Sequence, residues 1–153
     1  MTVVVAGVGN VFLGDDGFGV EVVRRLAGVP LPEWVRVVDY GVRGLHLAYD
    51  LAGADPELTI LVDATERGDV AGTVYVVELD ASTGTVPGMD PHGMQPDVVL
   101  NLVALLGSGH RRVVLVGCEP EVIEYRMGLS PAVERAVGTA AGAVVDLVTN
   151  HGR

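Results

Sequence analysis

The sequence lacks several features that mark secreted, membrane-bound and disulfide-stabilised proteins. It has a single cysteine, Cys118, in 153 residues, so no internal disulfide framework can form. No apolar run reaches the roughly 20 residues that a membrane-spanning helix needs. The first residues also lack a basic segment followed by a hydrophobic stretch and a cleavage site. We therefore expect a cytoplasmic protein without a secretory signal and without membrane association.

Positive charge is also scarce. Ten arginines and no lysine face 20 aspartates and glutamates, which gives a formal net charge of −10. Such a field repels the phosphate backbone, so nucleic acid is not an expected partner. A neutral or basic protein partner is favoured instead.

What the sequence does contain is an alternation of short apolar runs and helical patterns. Strands are predicted over Val3–Ala6, Val35–Val38, Leu58–Val62, Val74–Glu78 and Val113–Val116. Helices are predicted over Gly17–Leu26, Leu45–Leu51, Asp97–Leu106 and Pro131–Val148. This order predicts one domain over residues 1–153, a three-layer α/β/α sandwich with helices on both faces of a mostly parallel sheet. The short connection before Val74–Glu78 predicts a hairpin and an antiparallel strand there.

The first turn of the chain has the glycines of a nucleotide-binding loop but the wrong charge. In Gly7-Val8-Gly9-Asn10-Val11-Phe12, Phe12 occupies the position of a third glycine and should block close packing of helix and strand. Asp15 and Asp16 then stand at the helix entrance, where a pyrophosphate would need positive potential. A nucleotide site is therefore disfavoured. Asp15 is interpreted either as a cap of the helix or as support for Asp16.

Two aspartates and a histidine are the candidate site residues. Asp16 follows the first strand and Asp63 follows Leu58–Val62, so both should lie beyond the carboxyl ends of parallel strands, where ligands bind in open α/β sheets. His92 lies in a predicted loop, Leu79–Gln95. Carboxylates and an imidazole suit a divalent transition metal. Simpler explanations also exist, namely aspartates that cap turns, a solvated histidine, or two acids that share a proton.

Longer motifs are more specific. The segment Gly7–Val20 resembles the signature of the hydrogenase maturation proteases, the endopeptidases that trim the large subunit of nickel–iron hydrogenases. Further blocks agree in order: Asp39–Leu45, Leu61–Ala64, Pro91-His92, Gly117–Glu121 and Gly128–Pro131. The resemblance covers almost the whole chain.

The resemblance implies a twisted five-stranded sheet between helices, with one strand antiparallel. It also implies that Asp16, Asp63 and His92 bind metal and carry the catalysis. The implied reaction removes a C-terminal extension from a hydrogenase large-subunit precursor that has been loaded with nickel. The nickel would be the substrate's own, and zinc or cadmium is a second candidate in vitro.

The chemistry of cleavage stays open between two routes. A metal with an open coordination position could activate water, or an aspartate could act directly as the general base. A non-catalytic nickel chaperone that binds the loaded subunit is the alternative function. A monomer or weak oligomer is expected.

One block departs from the resemblance. Many members of the family carry Asp-Gly-Gly-Thr where this chain has Asp39-Tyr40-Gly41-Val42-Arg43-Gly44, and Arg43 adds a bulky charge that indicates a different hydrogenase subgroup. Asp39 and Arg43 are candidates for lining the substrate groove. Cys118, at a strand end, is expected to be a buried structural residue and not a nucleophile. The Gly-x-Ser-x-Gly and His-Glu-x-x-His motifs of other hydrolases are absent from the sequence.

Overall fold

The structure, a computed structural model, describes residues 2–41, 56–78 and 112–152. Its strands are β1 (Val3–Val8), β2 (Val35–Gly41), β3 (Leu58–Ala64), β4 (Val74–Glu78) and β5 (Val113–Cys118). A 3₁₀ turn over Gly14–Gly17 leads into helix α1 (Phe18–Leu26), and the long helix α2 covers Pro131–His151. Each predicted strand is present. Three further predictions lie outside the described residues: the helices Leu45–Leu51 and Asp97–Leu106 and the loop Leu79–Gln95.

The strands form a five-stranded sheet in the order β2-β1-β3-β5-β4. All neighbouring pairs are parallel except β4, which is antiparallel to β5. The mostly parallel sheet with one antiparallel strand is thus confirmed. The predicted hairpin is wrong, because β5 lies between β3 and β4. The β3–β4 connection folds around Glu119, just past β5, whose Oε1 accepts hydrogen bonds from the backbone N–H of Arg67 (2.8 Å) and Asp69 (3.0 Å).

The three central strands are buried along their whole length. Every residue of β1, β3 and β5 is buried, as continuous apolar runs of parallel strands covered on both faces should be. Helices α1 and α2 pack on one face and contact each other. Alternate residues that face away from these helices, such as Val4, Leu61 and Leu115, are buried as well. The burial pattern agrees with the predicted three-layer sandwich.

Helix α1 approaches the sheet at a pair of glycines. A Cβ atom on Gly19 would contact the carbonyl oxygen of Val62 and lie 2.5 Å from that of Val8, and one on Gly7 would lie 2.5 Å from the Gly19 oxygen. Phe12 is 62% exposed, so the prediction that it blocks close packing of helix and strand is wrong. Gly19 lies inside α1, where a glycine costs about 1 kcal/mol relative to alanine. Because it has no side chain, α1 can approach the strands closely.

Helix α2 covers the β5 side of the sheet with an apolar face. Its buried residues recur at three- and four-residue spacing: Val133, Ala136, Val137, Ala140, Ala141, Val144 and Val148. Ser130 is the N-cap residue and Pro131 begins the helix, as predicted. The Ser130 hydroxyl makes no capping bond to the helix and donates to Asp15 (2.8 Å). In the parts of the chain that the structure describes, no helix is both long and apolar enough to cross a membrane.

Candidate active site

The glycine turn after β1 brings the loop against both predicted aspartates. Gly9 has φ 138°, a conformation that L side chains rarely adopt, and its N–H donates to the carbonyl of Gly41 (2.9 Å) at the end of β2. A Cβ atom on Gly9 would contact the Asp16 backbone oxygen and lie 3.3 Å from Oδ1 of Asp63. A side chain at this position would therefore push the turn away from the two acids.

Asp16 and Asp63 form a buried acidic pair, with exposed fractions of 3% and 2%. Oδ2 of Asp16 accepts from the Asn10 N–H (2.8 Å), and Oδ1 of Asp63 accepts from the Ala64 N–H (2.8 Å). Burial raises the pKa of Asp63 well above its ordinary value, the negative charge of Asp16 raises it further, and the Ala64 hydrogen bond only partly opposes this. Such a pair favours a proton or a cation in its vicinity.

The structure thus brings Asp16 and Asp63 together at the carboxyl edge of the sheet, where β1 and β3 end. His92 lies outside the described residues, as does Arg43. Within the described ranges no group of three or more histidine, cysteine, aspartate or glutamate side chains is arranged to hold a metal ion. The roles of Asp16, Asp63 and His92 as metal ligands and catalytic residues therefore stay predictions.

Asp15, the neighbour of Asp16, is fully buried and faces a different part of the molecule. Its Oδ2 accepts from the backbone N–H of Glu121 (2.8 Å) and Val122 (2.9 Å) and from the Ser130 hydroxyl (2.8 Å), while Oδ1 accepts from the Ser130 N–H (2.7 Å). The predicted helix cap is therefore wrong, because no side-chain bond caps the 3₁₀ turn or α1. The other predicted role, support for Asp16, agrees with these bonds, which hold the turn that carries Asp16. Asp15 fastens the site loop to the segment before α2.

The hydrogen bonds of Asp15 also set its charge. Burial alone would raise the pKa of this carboxyl, but the donors from Ser130, Val122 and Glu121 outweigh burial and lower it. Asp15 is thus held as a carboxylate. Asp63, which lies close to Asp16, is instead driven toward its protonated form.

A cleft of about 370 Å³ opens beside the glycine turn. The turn contributes one wall, and α1 and the end of β2 contribute the other. The lining residues are Gly9, Asn10, Val11, Phe12, Val20, Arg24, Asp39, Tyr40 and Gly41. Asp39 therefore lines this cleft, and its Oδ1 accepts from the Gly41 N–H (2.8 Å). Its predicted place in the substrate groove stays a prediction. Asn10 bonds within its own turn by accepting from the Phe12 N–H (2.9 Å).

Cys118 has the properties of a structural residue. It is fully buried at the end of β5. Burial raises the pKa of its thiol to about 12, with further contributions from the negative charges of Asp15 and Glu119. A thiol in this state is not a nucleophile at neutral pH, in agreement with the prediction.

Sequence reasoning missed the distant partners of Asp15 and the anchoring role of Glu119. The partners of Asp15 are 106 to 115 residues away in sequence, and no local pattern indicates such a pairing. Glu119 is 5% exposed and accepts from the Tyr75 hydroxyl (2.7 Å) besides the two backbone donors of the β3–β4 connection. Gly19 did carry a signal, because a glycine inside a helical pattern often marks a close contact.

Comparison with known proteins agrees with this geometry. The model of the hydrogenase maturation protease family, HycI, matches residues 20–147. This chain belongs to that family. The hydrogenase 2 maturation protease of Escherichia coli is 30% identical over an alignment of 155 residues, gaps included, that covers 99% of this chain and 93% of that protein. The hydrogenase expression/formation protein HupD of Rhodobacter capsulatus is 35% identical over 147 residues, 94% of this chain and 69% of that protein.

The fold comparison gives the same result for this maturation protease. The hydrogenase maturating endopeptidase HybD from Escherichia coli superposes with a TM-score of 0.81 at 29% identity, covering 99% of this chain and 94% of that one. The maturation protease described here is accordingly a hydrolase, an endopeptidase on a five-stranded, mostly parallel sheet.

Proposed function

We propose that this protease removes the C-terminal extension of a nickel–iron hydrogenase large-subunit precursor after nickel has been loaded. The observation that carries the proposal is the meeting of Asp16 and Asp63, both buried, beside a cleft at the carboxyl edge of the sheet. Family membership supports the maturation reaction. We expect this cleavage to take place in the cytoplasm.

The donor chemistry of the pair fits a nickel ion that arrives with the substrate. Two carboxylates that repel each other would form, with the imidazole of His92, an oxygen and nitrogen set suited to a divalent transition metal. A cation between Asp16 and Asp63 would relieve the repulsion that raises the pKa of Asp63. In this proposal the protease recognises the loaded precursor through the metal that the precursor carries.

The chain's own groups then position the substrate. The Asn10 N–H donates to the Asp16 carboxylate and the Ala64 N–H donates to that of Asp63, and these bonds orient the two acids. The extension would lie in the cleft between the glycine turn and Asp39. A bound divalent metal supplies Lewis acidity toward a nearby carbonyl.

Cleavage of purified precursor tests the proposal. Nickel-loaded and nickel-free precursor are mixed with the protease, and shortening is followed on a denaturing gel. We expect shortening of the loaded form only, and its loss in the variants Asp16→Ala, Asp63→Ala and His92→Ala. Asp146→Ala, which alters an exposed residue of α2, is the matched control and should process normally.

Two results would contradict the proposal. Normal processing by all three site variants would remove the site assignment. Stable binding of the loaded precursor without shortening would instead identify a nickel chaperone or checkpoint protein.

A further inference from the structure

Apolar side chains are exposed in a concentrated area next to the cleft. Six large apolar side chains are exposed in the described part of the chain, and four of them belong to two adjoining segments. We call these four residues the apolar rim: Phe12, Ile123, Tyr125 and Met127. Tyr125 is 92% exposed and Met127 is 65% exposed. Concentrated apolar exposure of this kind marks interaction surfaces, whereas single exposed apolar residues are ordinary.

The segments that carry the rim are joined by backbone hydrogen bonds. The Arg126 N–H donates to the carbonyl of Phe12 (3.1 Å), and the Gly14 N–H donates to the carbonyl of Arg126 (2.9 Å). Asp15 adds its bonds to Glu121, Val122 and Ser130 at either end of the segment 121–130. The rim is therefore held in a fixed arrangement before any partner arrives, and a fixed surface loses less entropy on binding.

The rim is also continuous with the cleft. Phe12 lines the cleft and belongs to the rim, and the anchoring residue Asp15 directly precedes Asp16. An occupant of the cleft therefore lies against Phe12, next to the segment 121–130 that is hydrogen-bonded to it. One occupant can therefore cover the cleft and the rim together, which a partner unrelated to the reaction would not need to do.

We propose that the apolar rim binds the folded body of the precursor, next to the point where its C-terminal extension enters the cleft. This inference rests on the proposed function. The charge of the segment describes the matching face. Glu121 and Glu124 outnumber Arg126 there, on a chain with a net charge of −10, so the precursor face should present apolar side chains among lysines and arginines. The rim then selects a folded precursor, and the acidic pair selects a loaded one.

Steady-state cleavage of nickel-loaded precursor tests the rim. The variant Tyr125→Ser/Met127→Ser removes its two most exposed side chains and none of the residues placed at the acidic pair. We expect KM to rise at least about tenfold while kcat stays within twofold, because exposed aromatic anchors contribute binding energy and not chemistry. Val70→Ser/Val76→Ser removes two large apolar side chains outside the rim, which are 81% and 52% exposed, and should leave both constants unchanged.

The outcomes separate the rim from the proposed function. If the wild-type protease does not shorten the loaded precursor at all, the proposed function fails, and the rim is then judged by equilibrium binding of the same precursor. If the wild type cleaves and the rim variant has the wild-type KM, the inference is wrong. An equal rise of KM in the Val70/Val76 variant would also overturn it, since the effect would then not belong to the rim.

Two other occupants give distinct results. A wild-type dimer in analytical ultracentrifugation that the rim variant converts to monomer would assign the surface to a second copy of this chain. A fall in melting temperature of more than about 5 °C in the rim variant alone would show that the chain itself covers these side chains. Either result would overturn the assignment to the precursor.

Discussion

Asp15 and Asp16 are adjacent, buried and identical in chemistry, yet their carboxylates meet opposite environments. Asp15 receives hydrogen bonds from three backbone N–H groups and one hydroxyl. Asp16 faces another carboxylate, that of Asp63, whose pKa is raised by burial and by the charge of Asp16. The first environment uses a negative charge to hold the fold together. The second places two carboxyl groups close together, which raises the pKa of Asp63, and in the proposed function a cation relieves this repulsion.

Replacing Asp15 should cause the largest change in stability. Asp15→Asn puts an amide group against donors, so at least one backbone N–H loses its partner, and we expect a loss of about 3 kcal/mol in the free energy of unfolding. Urea denaturation at pH 7 measures it, with Asp146→Asn, an exposed aspartate of α2, as the control.

The pH dependence of that loss checks its cause. Because the folded-state pKa of Asp15 is lowered from its ordinary 3.8, the folded state binds this proton less readily than the unfolded state. Its contribution is fully present above the ordinary pKa and is lost as pH falls through the lowered value. The difference between wild type and Asp15→Asn should therefore be constant near pH 7 and shrink below pH 4. A difference that does not change with pH would contradict a role for the charge.

Neutralising the other acid should have a smaller effect of opposite sign. The pKa of Asp63 is raised in the folded state, so its contribution to stability is present at low pH and is lost as pH rises through the folded pKa. In metal-free protein at pH 7, Asp63→Asn should raise the melting temperature by a few degrees while abolishing precursor cleavage. Differential scanning calorimetry in the presence of a chelator measures this, and a lower melting temperature than wild type would show that the pair is not strained.

The smallest effect is expected at Cys118. Its thiol is buried and its pKa is raised to about 12, so it takes no part in chemistry at neutral pH. Cys118→Ala should keep the cleavage rate within twofold and cost about 1 kcal/mol of stability for the lost packing. Rate loss of tenfold or more in a variant that still melts as the wild type would give the sulfur a role that the structure does not support.

The sequence predicted what depends on local pattern. Uninterrupted valine-rich runs specify buried parallel strands, and Ser130-Pro131 specifies the start of α2, so these positions agree with the structure. Asp16 and Asp63 could be placed at one edge because the carboxyl ends of parallel strands share an edge.

The failures all involve contacts between distant segments. The strand β4 pairs with β5, and the connection before it bonds to Glu119, which lies 50 or more residues from Arg67 and Asp69 in sequence. The role of Asp15 depends on donors more than a hundred residues away. Phe12 was misjudged because its position in a glycine pattern does not reveal that Gly19 makes the helix–strand contact. The periodicity of a sequence shows which residues of a helix or strand share a face. It does not show which other element that face contacts, and the three wrong predictions depended on such contacts.

The reach of the Asp15 hydrogen bonds has a consequence for how the enzyme is made. A ribosome releases the N-terminal residues first, so Asp16 and Asp63 are both synthesised before Glu121, Val122 and Ser130. Until those donors emerge, Asp15 lacks the long-range hydrogen bonds that fix the turn carrying Asp16. The nascent chain thus holds both acids of the pair well before it can fix their geometry. The complete acidic site can form only near the end of synthesis.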